Sequence, residues 1–262
     1  MRKYLRLMAI FYKNTLINEM EYRLNFIANV GLSLFWLMWA AISVQIYFLH
    51  RSTIGGWTYY QALMVMGLFF AMNGYRQMIL TPNLSRISEY VKMGTLDYIL
   101  TKPVDSQFMV SLRNLGVFNW GDPLIGVGLV AYGVAHLDVW PTVAQVSLFA
   151  LLVVAAAVLL YSFTLILQTS TLWLVNVERI DPLVSAVLET GRFPVNFYQG
   201  WIKAVLTFII PVAFMTTFPS QALLGTLDWR VAMASVPLAI AAFASSSLFW
   251  RFALRFYTGA SS

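Results

Sequence analysis

No cysteine occurs in the chain, which removes disulfides, thiol nucleophiles and cysteine metal sites together and leaves the redox compartment unmarked. Histidine is nearly as scarce. The two present, His50 and His136, fall in expected outer loops, and with no H-E-x-x-H pair an intramembrane zinc peptidase is excluded on ligand count. No Gly is followed by Lys, so the G-x-x-x-x-G-K-[ST] phosphate loop is missing and nucleotide hydrolysis by that route belongs to another chain. The G-x-S-x-G elbow of serine hydrolases is also absent, and Ser245 to Ser247 read as small residues for helix packing. Enzymatic chemistry within this chain is therefore not expected.

Charge is also in short supply. Only 11% of the 262 residues are charged, where a soluble domain carries about 25%, while 60% are apolar and the mean hydropathy is +0.71. A water-soluble core cannot absorb that much apolar surface. The charges cluster, leaving uncharged runs to compare with the ~20 residues a helix needs to cross ~30 Å of hydrocarbon. Leu24 to Phe48 is 25 residues, Val139 to Val177 is 39, Ala204 to Leu227 is 24 and Val231 to Trp250 is 20. Tyr59 to Tyr75 is 17 and reaches Leu80 if Arg76 lies near the headgroups with its stem in lipid. Leu115 to Leu137 is interrupted by Asp122-Pro123, as a helix broken or begun inside the membrane would be. Runs such as Leu151 to Leu160 show no alternation, which excludes a β-barrel. The expected fold is an all-α integral membrane domain over residues 1–262, with six spans at about 24–49, 59–80, 109–137, 143–175, 203–224 and 231–252.

With the N-terminus inside, 15 of the 17 Lys and Arg fall on the cytoplasmic side, leaving Arg51 and Arg230 outside. Both termini are then cytoplasmic, and the net charge of +6 faces anionic lipid or a cytoplasmic partner rather than nucleic acid. The first uncharged run is much longer than the core of a signal peptide, so the first span is expected to stay in the mature protein.

Before the first span, residues 1–22 place Tyr4, Leu5, Met8, Phe11, Tyr12 and Leu16 at helical spacing, with Arg2, Lys3, Arg6 and Lys13 supplying charge. That pattern fits a helix lying in the interface, or a basic flank that orients the first span. Between spans two and three, Thr81 to Gln107 reads as helix rather than linker. Ser85 or Ser88 caps a first short helix, Gly94 ends it, Asp97 sits near a second start and Lys102-Pro103 closes the unit. Its apolar residues, among them Ile87, Tyr90, Met93 and Leu96, need a contact, either a protein partner or lipid headgroups. Asn176 to Ile202 reads as a second cytoplasmic connection, with Asp181, Glu189 and Arg192 among its charges and Pro182 and Pro194 as breaks. Pro211 interrupts span five, and Pro219 to Leu227 suggests a partial re-entry on the outer side. No internal repeat of the kind that builds duplicated carriers is visible.

Asp122 is the one ionisable group deep in a span, where charge costs about 2.5–3.5 kcal/mol on insertion scales. It either serves function or caps a helix starting at Pro123. Asn25, Asn29, Ser33, Ser43 and Gln45 fall partly on one side of span one and face either a pathway or an adjacent helix.

The stretch Tyr90-Val91-Lys92-Met93-Gly94-Thr95-Leu96-Asp97-Tyr98-Ile99-Leu100-Thr101-Lys102-Pro103-Val104, with Phe193-Pro194, Ile210-Pro211 and Phe218-Pro219, resembles the ABC-2 branch of ABC transporter permeases over essentially the whole chain. The resemblance implies a homo- or heterodimer of six-span subunits in the cell's inner (plasma) membrane, working as an exporter. ATP and Mg would be bound by separate cytoplasmic ATPase subunits. It further implies an N-terminal elbow helix, here with Arg2, Lys3, Tyr4 and Arg6, and a coupling helix in a groove of the ATPase, here with Glu89, Tyr90, Lys92, Met93, Gly94, Thr95, Leu96 and Asp97. Asn29, Ser33, Asp122 and Pro211 are the candidate pathway positions. A non-transporting scaffold subunit and an ion-coupled carrier are the alternatives.

Overall fold

The computed structural model describes residues 2–19, 23–173, 180–209 and 212–257. Among them regular structure is helical, apart from one isolated bridge between Ile54 and Trp57. Helix α1 runs over Arg2–Glu19, α2 over Arg23–Phe48 and α3 over Tyr59–Tyr75. Thr58 opens α3 with a capping box: its hydroxyl accepts from the Gln61 amide while the Gln61 side chain accepts from the Thr58 amide. The helical path then continues through a π turn at Arg76–Leu80 into α4, Thr81–Leu84. Short helices α5 (Arg86–Lys92), α6 (Leu96–Leu100) and α7 (Ser106–Leu112) follow, then α8 (Gly121–Ala135) and α9 (Val143–Ser170). The last third holds α10 (Ile180–Glu189), α11 (Gly200–Ala204), α12 (Val212–Met215), α13 (Thr217–Leu224) and α14 (Trp229–Phe256).

Three stretches, Gly31–Phe48, Val143–Ser170 and Trp229–Phe256, are long and apolar enough to cross a membrane. Large apolar side chains cover their outward faces, Trp39 and Ile46 on α2, Val154 on α9 and Leu248 on α14, the reverse of a soluble surface. Lipid tails remove the hydrophobic drive between such helices, so close packing must hold them. Small residues supply it between α3 and α8. A Cβ on Gly126 would stand 2.6 Å from the Gly67 carbonyl oxygen, and one on Gly74 would overlap the Pro123 ring. Helices α9 and α14 pair in the same direction, with Ala155, Leu159 and Ala239 in one buried cluster.

The expected span 109–137 is not one helix, in keeping with the interruption read at Asp122-Pro123: its second part, α8, begins at Gly121. The span is divided between α7 and α8 by an irregular stretch at 113–116, whose exposed peptide groups would be costly beside hydrocarbon. Asn83, 1% exposed, satisfies those of Asn114: its Nδ2 donates to the Asn114 carbonyl at 2.7 Å and its Oδ1 accepts the Asn114 amide at 2.7 Å. The Gly116 amide donates to the Met78 carbonyl at 2.8 Å. The 203–224 region is likewise divided among α11, a π turn at Val205–Ile209, α12 and α13; Pro211 lies outside the described residues.

A second correction concerns Asn176 to Ile202, expected as a connection on one side. Asn176 to Arg179 lie outside the described residues, but the rest runs the length of α3. Asp181 meets Arg76 and Ser85 at the end of the bundle that carries α5 and α6. Arg192 sits over the Phe69 ring midway along α3. Phe193 and Phe197 then reach Tyr47 and Phe48 at the opposite end, beside Gly55. Asp181 read as a loop charge because its partner Arg76 is far away in sequence, whereas Arg192 pairs with Glu189 three residues before it and is placed by its contact with the Phe69 ring. Beyond this passage α13 packs on α9 with Ser220 and Ala222 buried, and Gly225 in the left-handed region (φ +68°) ends it.

Candidate functional site

A line of polar side chains runs through the bundle beside α3. Ser33 Oγ donates to Asp122 Oδ1 at 3.1 Å, and Asn73 Nδ2 donates to Asp122 Oδ2 at 2.9 Å. Arg76 Nη2 donates to Asn73 Oδ1 at 3.5 Å, and Arg76 Nη1 donates to Thr81 Oγ1 at 3.2 Å and Asp181 Oδ1 at 3.0 Å. Ser85 Oγ, at the start of α5, donates to the same Asp181 oxygen at 3.4 Å. Hydrogen bonds thus connect α2, α8, α3 and α10 to the short helices at one end.

Arg76 does not lay its stem in lipid. Its side chain is 3% exposed and its charge is met by Asp181. A guanidinium this deep is tolerable only with a carboxylate and several acceptors around it. Asp122 does not cap a helix at Pro123 either, since α8 starts at Gly121 and both carboxylate oxygens turn to α2 and α3. Gly121 lies so close to Ser33 that a Cβ there would stand 2.7 Å from the hydroxyl, which brings that donor within reach of Asp122. Beside the line lies a polar cavity of about 310 Å³, bordered by Ser33, Asn73, Gln77, Asp122, Glu189 and Arg192. Of the candidate pathway residues, Ser33 and Asp122 are in direct contact. Asn29 lies within α2, and Pro211 is outside the described residues.

The second candidate region is the helical hairpin of α5 and α6. Its inner side belongs to the main core cluster among the described residues, through Ile87, Leu96 and Ile99, each no more than 3% exposed. Gly94, at φ +65°, makes the turn between the helices in the left-handed region that costs a side chain most. Ser85 and Ser88 do not bond as side-chain caps; Ser85 faces Asp181 and Ser88 bonds back to the Ser85 carbonyl.

The eight residues singled out for coupling divide. Glu89, Lys92 and Met93 are exposed, Met93 at 67%, whereas Leu96 is fully buried and serves to hold the hairpin. Tyr90 is half-buried against the core, and Gly94, Thr95 and Asp97 are half-buried at the turn and the start of α6. Tyr98, at 73%, is the most exposed aromatic of the hairpin and was not singled out. A five-residue helix is too short for its sequence pattern to have found it.

Two other elements touch this end. Lys3 Nζ donates to the Pro103 carbonyl at 2.9 Å, and Tyr4 meets Phe108 edge-to-face at 4.8 Å, so α1 is tied to the chain just after the hairpin. Arg6 is exposed, and Arg2 begins α1. At the other terminus Tyr257, just past α14, lies by Asp97. Burial, and then the Asp97 carboxylate, push its phenol above the usual value of 10.0. Among the described residues no group of three or more His, Asp or Glu is placed to hold a metal ion.

No curated protein matches the chain. A family model described as ABC-2 family transporter protein matches residues 34–261, from the middle of α2 past the end of α14, and the chain belongs to that family as a membrane-embedded permease.

Proposed function

We propose that this permease is the transmembrane subunit of an exporter driven by separate cytoplasmic ATPases, with the α5–α6 hairpin as the surface on which they act. The observation that carries the reading is the division of that hairpin. Its inner side is locked into the core, while Met93 and Tyr98 present apolar surface outward beside exposed Glu89. An apolar tip of this kind suits insertion into a groove of a partner protein. The partner ATPases would carry ATP and Mg, and a second copy or a homologous permease would complete the pathway.

In this reading the chain passes the bilayer six times, through α2, α3, α8, α9, the passage from α10 to Phe197, and α14. The α5–α6 end and both termini face the cytoplasm of the inner membrane. Arg192 leaves the inner set of cations, as does Lys203, which follows soon after Tyr198. The remaining set, including Lys3, Arg6, Arg86, Lys92, Lys102, Arg251 and Arg255, still favours that side. Helix α1 lies as an elbow in the inner interface. Movement of the hairpin is passed to α3 and α10 by Ser85, Asp181 and Arg76, and opens a path past Ser33 and Asp122.

The test is co-purification of the tagged chain from detergent with identification of bound proteins, followed by ATP hydrolysis assays on wild type and Asp97→Lys. A stoichiometric nucleotide-binding subunit, lost or uncoupled in the variant, supports the reading; recovery of this chain alone, without ATPase activity, removes it. A second reading, an ion-coupled carrier, draws on the buried line from Asp122 to Asp181. Transport that persists after ATP depletion would favour it.

A further inference from the structure

A large cavity lies apart from the polar line and the hairpin tip. It is a crevice of about 580 Å³ between α7, α9 and α14, within the size range of small-molecule sites. Its lining changes in order along the bundle axis. Val154, Ala157, Val158 and Phe243 form an apolar floor at mid-depth. Next comes a tier of hydroxyl and amide groups. Gln107 Nε2 donates to Tyr161 Oη at 3.0 Å and to Ser247 Oγ at 3.0 Å, and Ser111 Oγ shares a 2.9 Å bond with Tyr161 Oη. At the mouth stand Asp105 and Arg251, both exposed.

From Phe243 to Arg251 the rise along α14 is ~12 Å, against roughly 15 Å for half of a ~30 Å hydrocarbon core. Apolar floor, hydroxyl tier and charged mouth follow the order of acyl chain, ester and headgroup in one leaflet. Arg251 makes no ion pair or hydrogen bond among the described residues, although Asp105 borders the same mouth. One Asp105 oxygen accepts the Phe108 amide at 2.8 Å as the cap of α7, which leaves the other for a ligand. A guanidinium matches a phosphate, and a carboxylate matches an ammonium.

We propose that this crevice binds one ethanolamine phospholipid of the leaflet at the α5–α6 end, its phosphate on Arg251, its ammonium at Asp105 and one acyl chain along Val158 and Phe243. Calling that leaflet cytoplasmic rests on the orientation proposed above; the binding itself needs neither that orientation nor an ATPase. Within the tier Gln107 and Ser111 bond to Tyr161, so it can lie beside lipid at little cost, and the Ser247 hydroxyl, which accepts from Gln107, has its own proton to donate to an ester oxygen.

The experiment is native mass spectrometry of the delipidated protein in detergent, titrated with phosphatidylethanolamine or phosphatidylglycerol of matched chains. One tightly held phosphatidylethanolamine per chain is expected, preferred by about fivefold over phosphatidylglycerol, the size expected of one exposed charge contact. Arg251→Ala should weaken both lipids. Asp105→Asn keeps an oxygen for the cap and should erase the preference only, while Ala157→Trp should fill the floor and abolish retention at an unchanged melting temperature. Equal retention of the two lipids, stronger retention of phosphatidylglycerol, or retention that survives both Arg251→Ala and Ala157→Trp would overturn the proposal and leave only annular lipid. Failure to recover an ATPase would overturn the exporter reading and leave these results standing.

Discussion

Arg76 and Asp181 form an ion pair at 3.0 Å although 105 residues separate them in the chain. Arg76 follows directly on α3 and Asp181 stands in the first turn of α10, so the pair fastens two passages of the bundle together next to the hairpin. Asp181 keeps 31% of its side-chain exposure while Arg76 keeps 3%, so the cost of separation falls on the arginine.

Asp181→Ala should therefore destabilise more than Arg76→Met. The first leaves a buried guanidinium without its counter-charge, a loss of about 3 kcal/mol at the low end for buried pairs because Asp181 is partly solvated. Arg76→Met removes the charge and keeps most of the volume. Thermal unfolding in detergent should place Asp181→Ala lowest and the double variant Arg76→Met/Asp181→Ala above it. A double variant that is the least stable of the three would show that the pair does not hold the bundle this way.

Gly126 and Gly128 share one helix and differ in what lies against them. A Cβ at Gly126 meets the Ala71 amide and the Gly67 carbonyl at 2.6 Å, whereas nothing lies within 4 Å of one at Gly128. Gly126→Ala should force α3 and α8 apart and cost about 1–3 kcal/mol. Gly128→Ala should be neutral or slightly stabilising, because alanine is the better helix former. Equal melting temperatures for the two variants would mean that close contact between these helices does not matter.

On the hairpin, exposure separates contact from support. Met93→Asp and Tyr98→Ala should leave the melting temperature unchanged and reduce ATP hydrolysis by a co-purified ATPase about tenfold, since interface anchors commonly carry more than 1 kcal/mol. Leu96→Asp should lower stability by at least about 2 kcal/mol by burying a charge in the core. If Met93→Asp unfolds the protein, or Tyr98→Ala leaves hydrolysis at the wild-type level, the exposed tip is not the coupling surface.

Tyr257 supplies a pH test. Its phenol is held above 10.0 by burial and by Asp97, so the fold favours the neutral form. That stability is fully present below pH 10.0 and is lost as pH rises through the higher folded-state value, where the unfolded chain has already given up the proton. Between pH 9 and 11 the wild-type melting temperature should fall more steeply than that of Tyr257→Phe, and Asp97→Asn should lie between them. Parallel curves would show that the two groups do not interact.

The helical class, the amphipathic α1 and the Gly94 turn could be read from sequence because each depends on neighbours within a few residues. Arg76 could not, since a cation at the end of an apolar run looks the same whether it reaches water or a carboxylate 105 positions away. The passage from Asp181 to Phe197 was hidden likewise, its charges and prolines being those of a loop until Arg76 and Phe69 are placed beside it. An interruption was legible at Asp122-Pro123, but the irregular stretch at 113–116 was not, because Asn83, thirty-one positions earlier than Asn114, replaces the missing helical hydrogen bonds. Within the hairpin, five- and seven-residue helices are too short for periodicity to separate the buried Leu96 from the exposed Tyr98.

Asp122 is the remaining test of whether the polar line acts as a unit. Its two oxygens take one donor each, from Ser33 and Asn73, and Asn73 passes the connection to Arg76 at 3.5 Å. Asp122→Asn keeps the shape but turns an amide nitrogen toward one of those donors, so it should lose one hydrogen bond and about 1–2 kcal/mol. Asn73→Ala should cost a similar amount. The two changes made together should cost less than their sum by at least about 0.5 kcal/mol, because the second removes a bond already lost. Strict additivity in unfolding measurements would separate Asp122 from Asn73 energetically and confine the carboxylate's role to its contact with α2.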